Sequence, residues 1–318
     1  MANTATLSSP AAWRHLFAGR TAWAGEAGPA YRLLAVEVAV IAVLVAVLGF
    51  RVDGDDFQIM AMLLSGTVGI AWAMRWCRMG QPADALEAGS LVMSAAMAVG
   101  SLSVVLGTIA PPYRDAALAG ADGWLFPLSW PTMARWLGGH PALVTMMSRV
   151  YATLLWQPFA LVALLAAIGE RASMWRFVRA WMLALIACVA VFALVPAATA
   201  QVHYGFAPGS IPGLTVDAAW RPFGILERVR SGDLRMLSAH NMAGMVDFPS
   251  FHAAGAVMIG WGARQAGRLG WPLIALAALM FPTIPLIGSH YFVDMFAGVL
   301  VALMAIRATR PVQASRIT

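Results

Sequence analysis

Gly288-Ser289-His290-Tyr291-Phe292-Val293-Asp294 stands at the mouth of a hydrophobic run that continues to about Ile306. A histidine and an aspartate at i and i+4 share one face if both lie on a helix. In hydrocarbon an ionisable pair is expensive, so it is kept where it faces a protein interior or a wet cavity. A carboxylate beside an imidazole fixes its tautomer. It also supports the charge that develops when the other ring nitrogen attacks or takes a proton. Alone, the pair has two readings: a reactive dyad, or a helix-start histidine capped by its neighbour.

Phe248-Pro249-Ser250-Phe251-His252-Ala253-Ala254-Gly255 also opens a hydrophobic run, one hairpin earlier. The segments after His252 and before His290 each have the length to cross a bilayer once. The chain therefore leaves one face and returns, and both histidines are expected at the same membrane mouth. There they have the look of a nucleophile and a general acid.

Pro249-Ser250-x-His252, followed by His290-x3-Asp294-x2-Ala297-Gly298, resembles the second and third motifs of the type 2 phosphatidic acid phosphatase superfamily. The string His290-Tyr291-Phe292-Val293-Asp294 is closer to its inositol phosphorylceramide synthase and sphingomyelin synthase branch. The resemblance covers about the C-terminal half. It implies that His290 attacks phosphorus to give a phosphohistidine, that Asp294 orients it, and that His252 protonates the leaving group. Two family cations are missing. The Ser-Arg ahead of the third-motif histidine is here Thr283-Ile284. The first motif keeps its Arg221-Pro222 end but has Leu214 where the lysine belongs.

Composition agrees with a membrane setting. Of 318 residues, 60% are hydrophobic and 11% charged, against roughly a quarter charged in soluble domains. There is no lysine, and the abundant alanine suggests a GC-rich bacterial genome. The net charge of +6 does not point to nucleic acid, because the arginines gather at the ends of apolar segments, as topology signals and anionic-lipid contacts do. Cys77 and Cys188 read as packing residues. No zinc-type Cys/His spacing is present.

Residues 1–30 are expected to be a cytoplasmic segment, either interfacial through Trp13, Phe17 and Trp23 or a tail, and not a cleaved signal. Residues 31–318 are expected to form one all-α transmembrane domain of about eight helices, near 32–50, 57–76, 88–110, 143–168, 180–200, 249–263, 271–287 and 290–306. The six-helix phosphatase-like core would run from about 88 to 306, with an active-site loop at about 201–248. Arginines such as Arg32, Arg75, Arg171, Arg176, Arg179 and Arg310 fall at one set of ends, joined by short connections. This places both termini in the cytoplasm and the histidines on the outer face of a bacterial inner membrane.

Two outer loops are expected. Residues 111–141, with Trp124, Phe126, Trp130 and Trp136, read as an interfacial aromatic belt, with a lid over a lipid entrance as the alternative. In the second loop, Asp217 is a candidate N-cap for a short helix with Trp220, Phe223, Leu226 and Val229 on one face, ended by Ser231-Gly232. Arg221 either reaches the substrate phosphate, which its guanidinium fork suits, or turns to lipid headgroups. His203, His240, Arg228, Arg230 and Arg235 carry no assigned role.

The parts for phosphoryl transfer through histidine are His290, Asp294 and His252. Arg221, Ser250 and helix-start N–H groups are candidates for holding the phosphate. No metal or other cofactor is expected. The expected activity is that of a phosphotransferase or phosphatase on a membrane lipid phosphoester. Head-group transfer from a diester is favoured, because two cations suited to a dianionic monoester are missing. A lipid phosphate or polyprenyl pyrophosphate phosphatase is the alternative within this class. A transporter or a non-catalytic lipid-binding protein is the alternative outside it.

Overall fold

The computed structural model describes residues 25–214, 219–242 and 244–310. The expected interfacial segment around Trp13 and the N-cap Asp217 lie outside the described residues. The architecture is an all-α bundle. Among the described residues, five helices have the length and apolarity to cross a membrane, or six if one bent pair counts as a single span.

The first two, α1 (Gly28–Val47) and α2 (Gly54–Trp76), are apolar nearly all round and bury few side chains. Val36, Val43, Ile59 and Leu63 are exposed on them, as befits helices that face lipid. Between them, Arg51–Val52 (β1) pairs in parallel with Met236–Leu237 (β2), tying this connection to the long loop. The next helix, α3 (Gly80–Gly107), is the central one and is buried along its length. It starts eight residues before the expected segment because Asp84 and Glu87 are inside the bundle, not outside it. Both accept from Arg75, and Asp84 also accepts from Arg171 at 2.7 Å. Paired with arginine, these carboxylates can be buried in the first turns of a membrane helix.

The loop expected at 111–141 has regular structure. It folds into α4 (Asp115–Leu125) and α5 (Trp130–Gly138). Trp124 and Trp136 stay exposed as a belt requires, but Trp130 is 1% exposed. Its indole N–H donates to the carbonyls of Pro285 and His290, at 3.0 and 3.1 Å. The expected fourth span is broken: α6 (Pro141–Tyr151) runs through a 3-10 turn into α7 (Gln157–Ala167) with a bend of 50°. A long helix, α8 (Arg171–Leu194), follows, and then a single turn, α9 (Ala200–His203). The loop helix α10 (Trp220–Ser231) ends on Gly232 at φ 89° and buries Pro222, Ile225, Leu226 and Val229. The apolar face is thus close to the expected one, shifted towards Pro222 and Ile225.

Helix α11 (Phe251–Ala263) is followed by a 3-10 stretch, Arg264–Gly270, and by α12 (Trp271–Met280), which packs back against it. The return limb continues to α13 (Ile284–Ile287), and α14 (Phe292–Ala308) closes the bundle. At 17 residues, α14 is about 26 Å long, a little under a hydrocarbon core of about 30 Å. A methyl group on Gly298 would lie 2.2 Å from the Ser250 carbonyl oxygen and 3.0 Å from Ala253 Cβ. Only glycine therefore lets α14 lie this close to the start of α11, as small residues do at membrane helix contacts.

Gly298→Ala should force the two helices apart and lower stability by about 1–3 kcal/mol. Thermal unfolding of the purified protein in detergent measures this; an unchanged midpoint would contradict the contact.

Candidate active site

Two short breaks in helix build the site. At the first, the peptide between Phe248 and Pro249 is cis, and Ser250 caps α11 by accepting from the Ala253 N–H at 3.4 Å. Ser250 also donates its own N–H to the Asp294 carbonyl at 3.1 Å. His252 follows in the first turn. Its ring stacks on Tyr151 of α6 with centroids 3.9 Å apart, and its Nδ1 lies 3.1 Å from the Tyr151 hydroxyl.

The second break is Gly288–Tyr291. Ser289 takes φ 60°. Its carbonyl accepts from Ala200 N–H at 2.9 Å, and its hydroxyl accepts from Gln201 N–H at 2.8 Å. The strained residue is thus held by the start of α9. His290 is not on the helix, as its spacing to Asp294 suggests; α14 begins at Phe292. The dyad forms because Asp294 folds back to the helix start. Its Oδ2 accepts from Tyr291 N–H at 2.8 Å and lies 3.4 Å from His290 Nδ1. A second carboxylate is equally close: Asp247 Oδ1 is also 3.4 Å from Nδ1. All three side chains are buried. Burial pushes the Asp247 carboxyl well above the usual carboxylate range, with His290 opposing and Asp294 adding to the rise.

Helix α4 holds this loop in place. Asp122 accepts from the N–H groups of Phe292 and Val293, at 2.8 Å each. It therefore caps α14 from another helix. Burial raises its pKa, and the two backbone donors oppose the rise. Two turns earlier, Asp115 accepts from Ala198 N–H and Thr199 N–H, at 2.9 and 3.3 Å, and from the Tyr291 hydroxyl at 2.8 Å.

His290, His252, Asp247 and Tyr151 line one end of a cavity of about 420 Å³. A methyl group on Gly288 would sit 2.7 Å from the Tyr151 hydroxyl and 2.8 Å from the His290 ring, so both groups crowd this glycine. Most of the remaining wall is apolar. It includes Met93 of α3 and Leu155 at the bend between α6 and α7, which are 42% and 79% exposed and open the cavity to the side of the bundle. Among the described residues, no arginine lines it.

The structure brings His290, Asp294 and His252 together. It does not bring Arg221 or Ser250 to the imidazoles. Arg221 is exposed on α10, and its Nη2 donates to the His240 carbonyl at 3.2 Å. From its helix, Pro222, Phe223 and Leu226 face the cavity instead. Ser250 is fully buried, and its hydroxyl caps α11. Of the residues without an assigned role, Arg230 donates to the Pro111 carbonyl at 3.1 Å and covers the Tyr113 ring, Arg235 covers Phe50, and Arg228, His203 and His240 are exposed.

Sequence reading missed Asp247, Tyr151, Trp130, Asp115 and Asp122. A usable signal existed for the last two, an aspartate pair at two-turn spacing in a chain so poor in charge. For cation chemistry, the candidate set is Asp247, His290 and Asp294, whose ligand atoms lie within 4.8 Å of one another.

Residues 116–308 match a family model described as the PAP2 superfamily. No curated protein matches the chain, and no solved structure does.

Asp122→Ala would leave two N–H groups at the start of α14 without their acceptor. Each such loss costs about 1–3 kcal/mol when buried. The expected result is a lower unfolding midpoint together with lost activity. Asp122→Asn, which keeps an acceptor oxygen, should recover part of both. Equal behaviour of the two variants would mean that the cap does not hold the loop.

Proposed function

The chain belongs to the PAP2 superfamily, and from that premise we propose that it transfers phosphoryl groups of membrane lipid phosphoesters through a phosphohistidine on His290. The observation that carries this reading is the position of both imidazoles at the polar end of an apolar cavity with a side opening. With Nδ1 turned to the carboxylates, His290 Nε2 is the nitrogen available to attack phosphorus. The bond from phosphorus to the leaving oxygen breaks, and His252, placed by Tyr151, gives that oxygen its proton. Water or an alcohol then attacks the phosphohistidine and loses its proton to His252. Asp294 is the better candidate for the ionised partner of His290, because its Oδ2 also accepts the Tyr291 N–H, a bond that favours the charged form.

Head-group transfer from a phosphodiester, as in the inositol phosphorylceramide synthase-like branch, is the favoured reaction. A wall without arginine, beside two buried carboxylates, suits a monoanionic diester better than a dianionic monoester. N–H groups in the first turn of α11 are the candidate holders of the phosphate oxygens. Ser250 supports that turn through its cap, and Arg221 belongs to the helix that brings Pro222 and Phe223 to the cavity.

Incubation of the purified protein with labelled phospholipids, with and without ceramide, diacylglycerol and inositol, tests the scheme. An acid-labile phosphoenzyme should form and be lost in His290→Ala. His252→Ala should fail to turn over, and Asp294→Asn should lose up to about 10⁴ in rate. Asp247→Asn should be at least about tenfold milder than Asp294→Asn if Asp294 is the carboxylate that holds the His290 tautomer. Activity should survive a chelator; loss on chelation would make Asp247, His290 and Asp294 a metal site. Faster release of inorganic phosphate from phosphatidic acid than any head-group transfer would overturn the diester preference.

We further infer a bacterial inner-membrane protein with one transmembrane domain, cytoplasmic termini and the site on the outer face. A cysteine at Ser210, in a chain lacking Cys77 and Cys188, should react with an impermeant thiol reagent in spheroplasts, and one at Arg310 only after lysis. The opposite pattern would invert the topology.

A further inference from the structure

At the end of the bundle away from the histidines, two groups of arginines can be told apart. Arg75 and Arg171 are paired with Asp84, Glu87 and Glu26. Arg32, Arg176, Arg179 and Arg310 line one crevice of about 860 Å³ between α1, α8 and the end of α14. The one carboxylate that lines it, Glu26, is already engaged with Arg171 at 2.9 Å. Among the described residues, none of the four arginines is ion-paired with a carboxylate. The flanking stretches 1–24 and 311–318 contain no Asp or Glu.

Two of these guanidiniums are fixed in place before any ligand arrives. Arg176 donates Nη2 to the Ile306 carbonyl at 3.3 Å and lies over the Trp261 ring, while its Nε is buried without a partner. Arg179 donates Nη1 to the Glu26 carbonyl at 2.8 Å. These carbonyl acceptors position the two cations without a direct ion pair. Leu33, Val36 and Leu183 form an apolar wall, and Val36 is 62% exposed on the outer surface of α1.

We propose that this crevice binds the phosphate headgroup of an anionic membrane lipid, with an acyl chain along Leu33 and Val36. Four cations gathered where helices end favour a phosphate with charge to share, and guanidinium forks suit its oxygens. The apolar wall selects a lipid over a free anion. The site is remote from the catalytic cavity, so the inference stands independently of the proposed reaction.

Native mass spectrometry of the full chain, released from micelles containing equal phosphatidylglycerol and phosphatidylcholine, tests it. The wild type should retain phosphatidylglycerol preferentially. Arg32→Gln with Arg310→Gln, both at exposed positions, should weaken that retention by about 25-fold, about fivefold for each arginine. Arg268→Gln, at the same end but outside the crevice, should leave it unchanged. Millimolar inorganic phosphate should not displace the lipid. No preference for phosphatidylglycerol in the wild type, equal loss in Arg268→Gln, or displacement by free phosphate would each overturn the proposal. The wild-type preference needs no variant and decides the matter even if the double variant folds poorly.

Discussion

The contact between Asp122 and the first N–H groups of α14 is the constraint on which the site depends. A helix that begins inside a membrane bundle has donors that water cannot reach, and leaving them bare is costly. A side chain from α4 supplies the acceptor, so the start of α14 and the loop before it are fixed relative to α4. Asp115 fixes the 198–199 backbone and Tyr291 from the same helix face, and Trp130 donates to the His290 carbonyl. The imidazole is thus placed by its backbone as well as by the carboxylates at its Nδ1. Such support is needed where reacting groups must stay within fractions of an ångström of their working geometry.

The same economy shapes the cavity. Its polar groups are confined to one end and its wall is otherwise apolar, which suits an amphipathic molecule with a reactive headgroup. The bend between α6 and α7 leaves Leu155 at the opening and Tyr151 against His252. One irregularity therefore serves both the exposed rim of the cavity and the orientation of the imidazole.

Charge is divided between the ends of the bundle. The end with the histidines buries carboxylates around His290, and among the described residues no arginine lines the cavity there. The opposite end collects guanidiniums, some neutralised by Asp84 and Glu87 and others turned into an open crevice. Buried ion pairs cost desolvation, so the paired arginines are tied to the packing of α2, α3 and α8. Of the crevice arginines, Arg176 and Arg179 are held by carbonyls and an aromatic ring instead of carboxylates.

The sequence by itself determined the class of the molecule and singled out the two histidines that line one cavity. Long apolar segments with arginine at their ends leave few alternatives to a helical membrane bundle, and the hairpin between His252 and His290 puts both at one mouth. Local chemistry also made the end of α10 legible, because Gly232 adopts the left-handed conformation that stops a helix. Only the tertiary structure decided the rest. Asp84 and Glu87 look like the flank of a span until Arg75 and Arg171 arrive from other helices. Trp130 looks like a belt residue until its indole finds carbonyls some 155 and 160 positions away. Asp247, Asp115 and Asp122 act through backbone and ring atoms remote in the chain, and no local pattern records such partners. Arg221-Pro222 shows the converse: the sequence pattern is present, but the pitch of α10 turns Pro222 to the cavity and Arg221 to the His240 carbonyl. Burial and partnership are properties of packed helices, and a charge in an apolar chain takes its meaning from what packs against it.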